Sequence, residues 1–163
     1  MSKDAASSKL LVIWHSRTSA SEQMARAAAE AGAADIARAR DVTSQHILDA
    51  GAYLFVGPEN LAALSGEMKE MFDRTYYPVL GRIEGRPYAT IIAAGSDGEN
   101  AQRQLDRIAT GWRLKRVAEP MIVNFDAQTP EEILAEKQVS DRILQDCAQL
   151  GAGIVEGLRL GIF

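Results

Sequence analysis

Leu10-Leu11-Val12-Ile13-Trp14, followed by His15-Ser16-Arg17-Thr18-Ser19-Ala20-Ser21 and then Glu22-Gln23-Met24-Ala25-Arg26-Ala27-Ala28-Ala29-Glu30-Ala31, shows three kinds of patterning in succession. The apolar run has no polar alternation, as a strand covered on both faces requires. The polar stretch after it has no period, and Met24, Ala27, Ala28 and Ala31 then recur at helical spacing. Strand, loop and helix in that order open an α/β unit.

Working outward, the same grammar repeats. Residues 35–40 alternate at period two and read as a short half-exposed strand, with a brief helix expected around Thr43 to Leu48. Ala52 to Val56 is a second dense apolar strand that ends at Gly57-Pro58-Glu59-Asn60, and a helix is expected from about Ser65 to Thr75. Tyr88 to Ala94 is a third buried strand, stopped by Gly95-Ser96-Asp97-Gly98, with a helix from about Asn100 to Trp112 after it. Met121 to Phe125 is the last strand. Thr129-Pro130-Glu131-Glu132 then combines an N-cap, a proline in the first turn and an acidic side chain three residues on. That helix is expected to continue through Val139, Ile143, Cys147 and Leu150, with Gly151 and Gly153 ending or weakening it. Five strands interleaved with helices imply a parallel sheet in a three-layer α/β sandwich.

Residues 1–9 read as a polar leader and 10–163 as one domain, a length that buries roughly 68–70 % of the chain's surface without staples. The lone Cys147 excludes a disulfide scaffold and suits a reducing, cytoplasmic setting. No apolar run approaches the roughly 18–20 residues that span a bilayer. Lys plus Arg (18) against Asp plus Glu (22) leaves a net charge of −4, which argues against nucleic acid as a partner. The local cluster Arg113, Lys115 and Arg116 reads as a solvated surface. His15 and His46 have no HExxH or cysteine spacing around them, so no metal site is expected, and no GxSxG elbow signals hydrolysis.

Ligands of doubly wound sheets bind outside the carboxyl ends of the strands, which directs attention to the loops 15–21, 57–64 and 95–101. Ser16, Thr18, Ser19 and Ser21 set small hydroxyls between a buried strand and a helix N-terminus, where free backbone N–H groups and the helix dipole favour an anion. A phosphate monoester fits, with Arg17 offsetting charge; a Ser/Thr-rich helix cap without ligand fits the same residues. No GxGxxG follows the first strand and no GxxxxGK[ST] occurs, so neither a dinucleotide nor a nucleoside triphosphate is signalled. His15 and Trp14 lie close enough in sequence to approach this site or to close the strand. Tyr76 and Tyr77 are expected just beyond their helix, flanking an acceptor or packing.

Ser16-x-Thr18-x-x-Ser21 resembles the S/T-x-T-G-x-T phosphate loop of flavodoxin-like proteins, with Ser19 standing where glycine is usual. Ser65-Gly66-Glu67-Met68-Lys69-Glu70-Met71-Phe72-Asp73-Arg74-Thr75, preceded by Gly57-Pro58, is similar to the SGxMKxFxDRT helix of WrbA-like NAD(P)H:quinone oxidoreductases and multimeric flavodoxins. The resemblance spans about residues 10 to 125. It implies a flavodoxin-like fold with strand order 2-1-3-4-5 and an FMN cofactor. It further implies that Ser16, Arg17, Thr18, Ser19, Ala20 and Ser21 hold the phosphate. Pro58, Glu59, Asn60 and Leu61 would lie against the ring and ribityl chain, and Ala94, Gly95, Ser96, Asp97 and Gly98 would form a third wall. The implied activity is electron transfer from NADH or NADPH through FMN to a quinone, flavin or similar small acceptor, in a homodimer or tetramer. Two alternatives stay open: a flavodoxin-type carrier with a protein redox partner, and a cofactor-free interaction module.

Overall fold

The computed structural model describes residues 7–163; residues 1–6 of the expected leader lie outside them. The chain runs β1 (Leu10–Trp14), α1 (Ala20–Gly32), β2 (Asp35–Arg38), α2 (Ser44–Asp49), β3 (Ala52–Asn60) and β4 (Ala63–Leu64). There follow α3 (Gly66–Val79), β5 (Pro87–Ala94), α4 (Glu99–Gly111), β6 (Lys115–Arg116), β7 (Met121–Asn124), α5 (Pro130–Leu134) and α6 (Asp141–Leu160). The sheet has 7 strands in the order β2-β1-β3-β5-β6, with β7 also on β5 and β4 on β3. All pairings are parallel except β3 with β4.

The expected order of strand positions is kept, but the fifth position is shared by two segments. β6 pairs with the start of β5 at Pro87 and Tyr88, and β7 pairs with its end from Ile91 to Ala94. Between them lies Pro120, which has no N–H to give a ladder.

The absence of alternation in β1 has its reason in the layers. Leu11 and Ile13 enter one apolar cluster and Leu10 and Val12 the other, as successive side chains of a strand must. β3 divides likewise, with Tyr53 and Phe55 on one face and Ala52, Leu54 and Val56 on the other. On the first face α3 brings Met68, Met71 and Phe72, α4 brings Leu105, and Trp112 follows at the end of α4; the Phe72 ring centre stands 5.0 Å from that of Phe55 and meets Trp112 edge-on at 5.2 Å. On the second face α1 and α6 bring Met24, Ala25, Ala28 and Ile154.

Several boundaries differ from expectation. β3 does not stop at Val56: it continues through Gly57 and Pro58 to Asn60 and turns back into β4, so the expected loop is mostly a hairpin. β2 ends at Arg38, where a 3₁₀ turn takes over. α3 extends past Tyr76 and Tyr77 to Val79, including Pro78 in its last turn. Because α3 runs back from the carboxyl ends of the strands, about 1.5 Å per residue, these tyrosines lie at the opposite end from the ligand loops.

The last helix is two. Lys137 N donates to Thr18 O (2.8 Å) and Val139 N to Gln23 Oε1 (3.2 Å), so these amides are committed to tertiary partners rather than to a helix. Ser140 then caps α6 by accepting from Ile143 N. Gly151 and Gly153 do not end α6. A Cβ on Gly151 would stand 2.1 Å from Ala28 O, so the glycine is what lets α6 and α1 approach. Ile162 N bonds Gly157 O, and the Phe163 ring folds back over Gly157.

Candidate functional site

β1 runs beside β2 on one flank and β3 on the other, so the winding reverses between β1 and β3. At their carboxyl ends opens a cleft of about 500 Å³, lined on its first side by Ser16, Arg17, Thr18, Ala20 and Ser21.

The cradle turns on Ser19, the residue before α1, which has φ 76° and ψ −16°. That left-handed conformation is easy for glycine and costs an L-residue about 1–2 kcal/mol. The chain therefore keeps a glycine-type turn with a serine in it. Ser19 Oγ accepts from Gln23 Nε2 (3.2 Å) and does not line the cleft. Ser21 does line it: it is 1 % exposed, and its Oγ has no hydrogen-bond partner within the chain, the one buried side-chain oxygen or nitrogen so placed among the described residues. A buried hydroxyl without a partner costs about 1–3 kcal/mol, and it lies beside the open amides of the first turn of α1.

The second wall is Pro58, Glu59 and Asn60, and the third is Ala93, Ala94 and Gly95. They are fastened into one unit. Glu59 Oε2 accepts from Gly98 N at 2.6 Å, Asn100 Nδ2 donates to Ala62 O, and Leu64 N donates to Gln104 Oε1 at 2.7 Å. Gly98 has φ 92°, and a Cβ there would meet Ile122 Cγ2 at 2.7 Å, so only glycine fits.

Five residues of the expected constellation stand outside the lining. Besides Ser19, Leu61 is 96 % exposed at the hairpin tip, where it and Ala62 both have positive φ. The amide of Gly98 is already occupied by Glu59. Ser96 O accepts from Asn124 Nδ2, and Asp97 Oδ1 from Glu99 N, so both serve the turn before α4. Conversely, Phe125, Ala127, Ile133, Leu134 and Lys137 form a further wall that sequence reasoning missed. Phe125 had a signal, since it follows a strand at its carboxyl end. Lys137 had none, because its place depends on a bond to Thr18, far away in the chain.

His15 turns away from the cleft. It is buried, shares a 2.7 Å hydrogen bond between Nδ1 and Ser65 Oγ, and faces Glu67 at 3.9 Å. Arg38 grips Glu67 with two bonds of 2.9 Å and holds its carboxyl below the usual range. Burial lowers the His15 pKa, against the opposing pull of Glu67. Trp14 likewise leaves the site, with Arg26 and Arg38 over its ring at 5.7 and 5.9 Å. Tyr77 is exposed beside Tyr76, and neither reaches the cleft. Cys147 is buried in α6, its thiol pushed up to about 12 mainly by desolvation. Among the described residues no three His, Cys, Asp or Glu side chains are grouped to hold a metal ion, and no helix is long and apolar enough to cross a membrane.

No family model and no curated relative matches this chain. Solved structures do. A flavodoxin from the domain Archaea superposes with a TM-score of 0.73 at 18 % identity, covering 93 % of this chain and 99 % of that one. The flavodoxin, WrbA-like protein from Agrobacterium tumefaciens gives 0.75 at 17 %, covering 94 % and 99 %. Rubredoxin oxygen:oxidoreductase from Desulfovibrio gigas gives 0.76 at 15 %, covering 98 % of this chain and 38 % of that larger one. With the parallel sheet, its helices on both faces and a cleft at the winding reversal, these likenesses identify the fold of this chain as flavodoxin-like.

Proposed function

We propose that this chain binds FMN in the cleft and acts as an oxidoreductase, taking electrons from NADH or NADPH and passing them to a quinone, flavin or similar small acceptor. The observation that carries the cofactor is Ser21: a buried hydroxyl without a partner, in a cleft, beside the open end of α1. Ser16, Thr18 and Ser21 would hold the phosphate together with the amides of the first turn. Pro58, Asn60, Ala94 and Gly95 offer the surface for ring and ribityl chain, and Phe125 adds an aromatic face.

When bound, FMN supplies the hydride and electron chemistry itself. The chain's residues bind, orient and shield. Glu59 holds the second and third walls at fixed separation through Gly98 N, so the slot between them does not have to be organised on binding. Its carboxylate disfavours negative charge in the slot and so works toward a low reduction potential. Small side chains at Ala93, Ala94 and Gly95 leave room for close approach of a flat group.

A carrier reading with a protein partner is supported by Leu61, 96 % exposed on the fastened hairpin beside the cleft, and by Leu134, 78 % exposed across from it. The two readings separate in one experiment. Purified chain is titrated with FMN and then mixed with NADH or NADPH without oxygen, following the flavin absorbance. Prompt bleaching is expected. A bound band that persists selects the carrier, and no change in flavin spectrum or fluorescence on titration overturns the cofactor assignment.

A further inference from the structure

The wall contributed by residues 125–139 is built unlike the others. α5 has no buried residue and five residues in all, fewer than a helix needs to stand alone. The segment is held at its ends. At one, Phe125 N donates to Ala94 O and Ala127 N to Gly95 O, both at 2.8 Å. At the other, Lys137 N donates to Thr18 O (2.8 Å), Gln23 Nε2 to Lys137 O (2.8 Å) and Val139 N to Gln23 Oε1 (3.2 Å), while Val139 enters the core. Between these anchors Ile133 and Leu134 line the cleft yet remain 52 % and 78 % exposed, with no core neighbour to cover them.

Gln23 is the joint. Its amide nitrogen also reaches Ser19 Oγ, so one side chain ties the left-handed turn of the cradle to the far end of the segment. We propose that residues 125–139 form a strap that a phosphate-bearing ligand completes, and that Gln23 is the positioning residue coupling the strap to the cradle. The inference rests on the reading of the cleft as a phosphate-ester site. A ligand seated there gives Ile133 and Leu134 the surface they lack, and it draws on the cradle whose turn Gln23 fixes. A segment with few buried contacts opens readily, so the latch governs how fast the ligand leaves more than how fast it arrives.

The test compares the unmodified chain with Gln23→Leu, which removes all three bonds, and Gln23→Glu, which keeps the acceptor for Val139 N. Hydrogen exchange of residues 128–139 is followed in the chain alone, with FMN and with inorganic phosphate, and FMN release is followed by stopped-flow fluorescence. In the unmodified chain both ligands should slow exchange in the strap. In Gln23→Leu that slowing should vanish and FMN should leave about tenfold faster with little change in association; Gln23→Glu, which sets a carboxylate against the Lys137 carbonyl oxygen, should release it at least as fast. Unchanged release from Gln23→Leu, or strap exchange indifferent to both ligands, overturns the proposal. Strap protection by phosphate without FMN uptake overturns the FMN reading and keeps the strap; FMN uptake without strap protection does the reverse; uptake of neither overturns both. Should Gln23→Leu fail to fold, Gln23→Glu and the exchange data on the unmodified chain decide.

Discussion

Replacing Ser21 with alanine should move stability and ligand binding in opposite directions. In the ligand-free chain the Ser21 hydroxyl is 1 % exposed and has no partner within the chain, a situation that costs about 1–3 kcal/mol. Alanine removes the unsatisfied oxygen and leaves a void of one atom. The net expectation is a ligand-free chain more stable by about 1 kcal/mol, or roughly 2–4 °C in Tm for a chain of this size. A hydrogen bond from that hydroxyl to a charged phosphate is worth about 1.5–3 kcal/mol, so FMN affinity should fall by about 10- to 100-fold. Riboflavin, which has no phosphate, serves as the control and should bind both chains alike. Urea unfolding and flavin fluorescence titration read the two quantities. A Ser21→Ala chain that is less stable by about 1 kcal/mol and binds FMN with unchanged affinity would refute the reasoning, because the hydroxyl would then be serving the fold.

Ser19→Gly should raise the urea midpoint by the equivalent of about 0.5–1 kcal/mol, since it relieves a serine held at φ 76° at the loss of one hydrogen bond to Gln23; a lower midpoint would contradict this. Gly151→Val should destabilise by about 3 kcal/mol or more and weaken FMN binding as well, because the new side chain drives α6 off the Ala28 carbonyl and shifts α1, whose first turn borders the cleft. Phe72→Ala should cost about 3–5 kcal/mol, with its ring packed between Phe55 and Trp112, yet leave FMN binding of the folded fraction intact. The folded-state pKa of His15 lies below its ordinary 6.5, so the unfolded chain binds the proton more readily. The stability this contributes is complete above pH 6.5 and is lost as pH falls from there through the lowered value; His15→Asn should flatten that slope in urea unfolding at stepped pH, and an unchanged slope would assign it to another group.

The layers were legible because a buried strand and an amphipathic helix are local patterns. Leu10–Trp14, Ala52–Val56 and Tyr88–Ala94 announce themselves by apolar density, and Thr129-Pro130 announces a helix start. That a hydroxyl-rich turn separates a strand from a helix at residues 16–21 was legible for the same reason, whereas the turning of Ser19 aside to Gln23 was not. Tertiary contacts decided where those patterns stop. Gly151 reads as a helix end until Ala28 is set against it, and Val139 reads as helical until its amide meets Gln23.

The α/β class and the apolar centres of the main strands follow from the amino-acid sequence alone, since each depends on neighbours within one turn or one strand. Only the tertiary structure decided that Gly98 serves Glu59 rather than a ligand, that His15 turns to Ser65, and that Phe125, Ile133, Leu134 and Lys137 close the cleft. Those outcomes are contests between hydrogen-bond and packing partners far apart in the chain, and no local pattern records which partner wins.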